Sequence, residues 1–251
     1  MYGVERTGVR FVMTSPSDPD RVDDYHAWYD IYGTVVTHLG QLVNCFRFEN
    51  PAAAGSEEDP RSVAIYDIVT PDPATAWPAT ESSERYPQYL YADPRAKLVS
   101  PSLRGSWAHV GSQAKPGSHA ALIGVHIIRS DGADGTAREQ WASEVLDTGL
   151  FYAASRFKLI EEASRAEAQV GGARLSFPEP PTWLEIFETD HQDPLTAYSR
   201  ALEALAGSPR AAEIRQRRAG SFKFYSGYQA AYRAGPAVGT RTEDAGSLAA
   251  R

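Results

Sequence analysis

His26, Tyr29 and Asp30 stand at positions i, i+3 and i+4. On a helix they share one face. A histidine beside a carboxylate is a workable general base, because the carboxylate fixes the tautomer and supports the imidazolium. His26 and His126 are therefore the candidate bases, with Asp30 as the orienting carboxylate and His38 as a further acid–base group. The same spacing also fits a polar stripe beside Tyr25, Trp28 and Tyr32, and His38 near a helix end also suits the dipole. Arg47 can hold an enolate or carboxylate through its forked N–H groups, and Tyr66 can donate to the same anion. Tyr29, Trp107 and His109 complete the candidate substrate-binding set. Trp107 and His109 are two apart, so on a strand they point to one side.

The elements that must carry these residues come in two matching sets. Ile65–Trp77 aligns without gaps on Ile186–Tyr198, with five identical positions. Asp93-Pro94-Arg95 through Gly105-Ser106-Trp107 aligns on Ser208-Pro209-Arg210 through Gly220-Ser221-Phe222, and Arg47-Phe48 aligns on Arg156-Phe157. Three blocks in one order predict a tandem duplication. Half one reads as a strand over Val9–Thr14, a helix over Asp20–His38, strands over Leu42–Glu49 and Ser62–Val69, a helical region broken by Pro78 and Pro87, and a strand over Gly105–Gly111. Half two repeats the plan with strands over Ala120–Arg129, Phe151–Ile160, Trp183–Glu188 and Ser221–Ala231, and a helix over Thr136–Leu146. Asp72-Pro73 and Asp193-Pro194 are helix starts, an N-cap followed by proline; Ser208-Pro209 is read as a further start.

The expected architecture is α+β: two ferredoxin-like βαββαβ repeats over residues 1–112 and 119–233, joined by a linker at 113–118. A Gly/Ala/Thr-rich tail at 234–251 is read as disordered. Each repeat would form a four-stranded antiparallel sheet with helices on one face. The two sheets would then pack face to face as a pseudo-dimeric α+β barrel. Arg47 with Asp67, and Arg156 with Glu188, are expected as repeated ion pairs, because charges inside apolar strands need partners. His109 has Phe224 as its counterpart, and His126 has no polar counterpart, so one half is expected to carry a task of its own.

The segment Asp23-Asp24-Tyr25-His26-Ala27-Trp28-Tyr29-Asp30, with Arg47-Phe48 in the following strand, resembles the first-helix motif of EthD-like proteins of the dimeric α+β barrel superfamily. The histidine usual three residues after that aspartate is replaced by Gly33. The resemblance implies a fused pair of barrel subunits. The superfamily includes cofactor-free cyclases and oxygenases, lactone isomerases and haem enzymes, so fold does not select function.

Composition narrows the classes. Net charge is −7, with no basic stripe for nucleic acid. The single cysteine, Cys45, excludes an internal disulfide framework and a Cys-rich zinc site. No apolar run reaches the length of a membrane span and no signal core follows the N-terminus, so a cytoplasmic protein is expected. No phosphate loop, dinucleotide fingerprint or metal-spaced histidine set occurs. With 11% aromatic residues and polar groups set into strands, the expectation is a cofactor-independent, metal-free cyclase, isomerase or lyase. It would act by acid–base chemistry on an aromatic or polyketide-like small molecule. The competing readings are a non-catalytic small-molecule-binding protein, favoured by Gly33, and a haem-dependent or cofactor-free oxygenase. A homodimer is the one macromolecular assembly expected.

Overall fold

The computed structural model describes residues 6–39, 41–56, 59–84, 86, 88–115, 122–131, 135–163, 181–208, 210 and 218–229. The strands are β1 (Gly8–Pro16), β2 (Leu42–Glu49), β3 (Ser62–Ile68), β4 (Val99–Ala114), β5 (Gly124–Ser130), β6 (Ala153–Leu159), β7 (Trp183–Thr189) and β8 (Arg218–Gln229). The helices are α1 (Val22–Thr37), α2 (Ala76–Glu81), α3 (Tyr89–Ala92), α4 (Gly135–Asp147) and α5 (Pro194–Ala204). The expected tail at 234–251 and Pro209 of the helix start read at Ser208-Pro209 lie outside the described residues.

All eight strands close into one antiparallel barrel in the order β1-β3-β2-β8-β5-β7-β6-β4. This corrects the expected architecture of two separate ferredoxin-like sheets packed face to face. β2 pairs with β8 and β4 pairs with β6, so the halves join edge to edge through backbone hydrogen bonds. The physical reason lies in the edges. Each four-stranded set would leave two rows of unpaired N–H and C=O groups, and closure removes them all.

Alternation along the strands then makes one inner and two outer layers. Val9, Phe11, Met13, Phe46, Phe48, Val63, Ile65, Trp107, Phe157 and Ile186 fill the barrel. The opposite face of half one carries Val12, Cys45, Ala64 and Tyr66 beneath Tyr25, Trp28, Tyr29 and Tyr32 of α1 and Trp77 of α2. In half two, Ile128, Ala154 and Phe187 lie beneath Trp141 and Val145 of α4 and Ala197 and Tyr198 of α5. Strands covered on both faces explain why β1, β3, β5 and β7 are buried along almost their whole length.

The helix starts repeat between halves as the sequence implies. Asp72 and Asp193 each accept a backbone N–H and each precede proline. Gly8 and Gly124 open β1 and β5 opposite those prolines. A side chain on Gly8 would meet Trp107 O at 2.5 Å and Pro73 Cβ at 3.0 Å; one on Gly124 would run into Pro194 and Phe222 O. Both positions require glycine for close approach of helix start to strand.

The ion pairs expected inside the strands are corrected. Asp67 shares the inner face with Val63 and Ile65. There it takes Arg6 at 3.3 Å and the Asn44 amide at 2.8 Å. Arg47 lies on the outer face and pairs with Asp30 instead. Arg156 lies 3.7 Å from Glu139. A buried pair in half two joins Arg138 to Glu185, at 2.6 Å between α4 and β7.

Candidate functional site

Where α1 passes over the β2–β8 seam, one polar group of residues interrupts the aromatic layer. His26 and Asp30 sit one turn apart on α1, while Arg47 and Glu49 alternate onto the same outer face of β2. Arg47 Nη1 donates to Asp30 Oδ1, and Arg47 Nη2 donates to His26 Nδ1 at 2.9 Å. An accepting Nδ1 puts the imidazole proton on Nε2. Nε2 in turn lies 3.0 Å from Glu49 Oε1. Arg47 is buried, whereas the side chains of His26 and Glu49 keep 12% and 21% exposure. The buried cation therefore stands behind a pair that reaches solvent.

Tyr225 completes the site through backbone irregularity. The β2–β8 register shifts between Arg47 and Phe48, which face Ser226 and Phe224, so Tyr225 is the extra residue of a bulge. Bulges re-aim side chains, and this one lays the Tyr225 ring on His26 at 4.5 Å and beside the Arg47 guanidinium at 4.9 Å. The Tyr29 ring also packs against the guanidinium, at 4.6 Å. Cation–ring contacts of this kind offset part of the cost of burying the charge.

The environment drives the two titrating groups past each other and inverts their usual order. Burial lowers the His26 pKa to about 4, helped by the Arg47 charge and opposed by Asp30. Burial raises the Glu49 carboxyl to about 7 against the pull of Arg47. At neutral pH the imidazole is uncharged and the carboxyl sits at its midpoint, which suits a general base.

The linkage has an unusual consequence. Between about pH 4.5 and 6.5 the unfolded chain carries a proton on the histidine and none on the glutamate. The folded chain carries one on Glu49 and none on His26. The proton counts match, so the pair contributes almost no pH dependence to stability. Removing one member exposes the other. Glu49→Gln leaves the depressed histidine, and urea-measured stability should then rise with pH from about 4 to 6.5. His26→Asn leaves the raised carboxyl, and stability should then fall from about 4.5 to 7. Parallel wild-type and variant curves would contradict the shared-proton description.

The candidates read from sequence divide between this site and other places. His26, Tyr29, Asp30 and Arg47 are brought together, and Tyr66 lies fully buried in the same aromatic layer. His38 caps the far end of α1, its Nδ1 2.6 Å from Thr34 O, about 18 Å along the helix from His26. Trp107 is inside the barrel, edge-on to Phe11. His109 lies at the opposite seam. His126 is buried under α5, stacked on Tyr198 and bonded to Ser221 Oγ at 2.6 Å. Cys45 is buried, and its thiol is pushed up to about 12 by burial. Glu49 and Tyr225 were missed. The Arg47-x-Glu49 spacing within a strand was the available signal for Glu49; nothing in the sequence marks the bulge.

His126 gives a separate expectation. Burial holds its pKa down at about 3, so the unfolded chain binds a proton that the folded chain refuses between about 6.5 and 3. Stability is present above pH 6.5 and falls toward acid, by about 1.4 kcal/mol per pH unit at most. His126→Phe should flatten that limb in urea titrations at successive pH values.

No family model and no curated protein matches this sequence. Solved structures do match in shape. A mutant chlorite dismutase from Candidatus Nitrospira defluvii in complex with cyanide aligns with TM-score 0.53 and 10% identity, over 89% of this chain and 92% of that one. A second mutant of that enzyme aligns equally well, over 89% and 93%. A candidate monooxygenase from Lactobacillus acidophilus NCFM, at TM-score 0.46 and 8% identity over 90% and 97%, is too distant in shape to carry weight. The chain shares the barrel fold of chlorite dismutase, and identity this low speaks to the fold alone.

The superfamily that the α1 segment resembles includes haem enzymes. Ligation needs an imidazole nitrogen facing a porphyrin-sized slot. Among the described residues no histidine fits. His26 is engaged by Arg47 and Glu49, and His109 by Ser112. His38 and His191 contact local backbone oxygens. His126 is 2% exposed beneath the Tyr198 ring. The helix–sheet layers of both halves are filled by aromatic side chains. No group of three or more metal-ligating side chains stands together among the described residues, and no described helix is long and apolar enough to cross a membrane.

Proposed function

We propose that the chain is a cofactor-free oxygenase-type enzyme that begins by removing a proton from an aromatic or polyketide-like small molecule. The observation that carries this reading is the Glu49 carboxylate, 3.0 Å from a neutral His26 at an aromatic-walled, solvent-reached seam. Glu49 takes the proton. His26 keeps its proton on Nε2, which lies 3.0 Å from the carboxylate. Arg47, already bound to Asp30 and His26, positions the pair, and its charge lowers the cost of an anion forming nearby. Tyr225 offers a half-exposed ring on which a planar substrate stacks.

The carbanion then reacts with dioxygen. Its carbon forms the new C–O bond, and the resulting peroxide anion recovers the proton from Glu49. Loss of water leaves a carbonyl, so that a methylene group and dioxygen together give a ketone and water. One further observation supports the reading. The Trp28-Tyr29-Asp30 segment and Arg47, which carry the EthD-like resemblance, meet in one ion pair. An oxygen electrode and a panel of anthrone-like aromatic substrates test the proposal. Oxygen uptake with one equivalent of carbonyl product, rising with pH through about 7, is expected. Turnover without oxygen uptake would turn the reading toward cyclisation, isomerisation or elimination from the same carbanion.

A further inference from the structure

The second barrel seam carries a serine–histidine pair that proton abstraction at the first seam does not use. β4 pairs with β6 through a bulge between His109 and Gly111. Residues three apart on a regular strand face opposite ways, and the extra residue, Val110, resets the alternation. His109 Nε2 thereby comes within 2.7 Å of Ser112 Oγ. Ser112 is exposed, and His109 is partly so. On its other side Ser112 Oγ lies 3.0 Å from Ser155 Oγ, and Arg6 Nη2 donates to Ser155 Oγ at 2.5 Å. Arg6 is anchored by Asp67 and by the Phe157 ring, 5.0 Å from its guanidinium carbon.

One ordering of protons satisfies this chain. Arg6 donates to Ser155, Ser155 donates to Ser112, and Ser112 donates to His109 Nε2. Burial and the Arg6 charge lower the His109 pKa, so the imidazole is neutral and Nε2 can accept from Ser112. A base thus faces one side of Ser112, and a hydroxyl fed by a cation faces the other. The first withdraws the proton, and the second stabilises the alkoxide that remains.

We propose that Ser112 is the nucleophile and His109 the general base of a second site that accepts the acyl group of a small activated ester. Ser112 Oγ bonds to the ester carbonyl carbon, and the bond to the leaving alcohol breaks. The Ser112 proton passes to His109 Nε2 and on to the leaving oxygen. Water then adds to the acyl carbon, the bond to Oγ breaks, and the same imidazole returns a proton to Ser112. Phe157, with its ring 5.5 Å from His109, gives the pair an apolar wall on one side.

The test is p-nitrophenyl acetate with the full chain, read by nitrophenol release and by mass spectrometry of the digested protein. A burst of about one equivalent per chain, with the acetyl group on Ser112, is expected. Ser112→Ala should abolish it, and His109→Gln should slow it about 100-fold. In Ser112→Cys, alkylation by iodoacetamide should titrate below the ordinary thiol value of about 8.5, and adding His109→Gln should move it back up. Acetylation at another residue, an undiminished burst in Ser112→Ala, or an unshifted thiol in Ser112→Cys would each overturn the assignment.

Discussion

Glu49→Gln is expected to lower turnover by about 10²–10⁴-fold, the usual contribution of a positioned acid–base group. The amide keeps the shape of the carboxyl and cannot take up a proton. Its effect on stability runs the other way. A carboxyl whose folded pKa is raised to about 7 stabilises the fold least above that pH, because the folded state then holds a buried charge that the unfolded state solvates freely. Removing it should leave the protein as stable as wild type or more so at pH 8. Lost activity with retained stability separates a functional carboxylate from a structural one, since active-site groups commonly act against stability. His26→Asn should cost less activity, because the carboxylate survives and loses only its partner. A Glu49→Gln variant that matched wild type in oxygen uptake would remove Glu49 from the mechanism.

Arg138→Met is expected to be the most damaging single polar substitution, at about 3–5 kcal/mol by urea denaturation, the cost of leaving a buried charge unpaired. Arg138 Nη1 donates at 2.6 Å to both Glu185 Oε1 and Ser130 Oγ, and its guanidinium lies 4.9 Å from the Trp183 ring. Both ionic side chains are 3% exposed or less. Arg138→Met/Glu185→Leu should recover most of the loss, because an apolar pair of similar volume carries no desolvation cost. Arg21→Ala is the contrast. Its partner Asp24 is as exposed as the arginine itself, and such surface pairs contribute under about 1 kcal/mol. Equal losses for Arg138→Met and Arg21→Ala would mean that burial of the first pair is not decisive.

Local structure was legible wherever one residue type has one physical role. The strand expected over Leu42–Glu49 has those bounds, because Val43, Cys45, Phe46 and Phe48 leave few other uses for the segment. The Asp-Pro helix starts appear where an N-cap and a fixed φ must coincide. Pairing between distant edges was not legible. Face-to-face sheets and an edge-to-edge barrel bury the same apolar residues, so hydrophobic pattern does not choose between them. The choice rests on backbone groups, which carry no sequence signature. The same ambiguity misplaced the ion pairs. Arg47 and Asp67 both interrupt apolar strands, and alternation alone does not say that Asp67 faces inward with Ile65 while Arg47 faces α1. At the candidate site, helical spacing found His26 and Asp30, and strand position found Arg47. Tyr225 and Ser112 depended on bulges at the two seams, where one extra residue overturns the period-two reading.

The most direct measurement is a pH titration of side-chain ¹³C-labelled glutamate by NMR, with Glu49→Gln identifying the resonance. A carboxyl carbon shifting with a midpoint near 7, with the His26 ring remaining neutral down to about pH 4, is the expected result. A Glu49 midpoint near the free-glutamate value of about 4.3 would show a plain surface carboxylate, and no base for the proposed chemistry would remain at this seam.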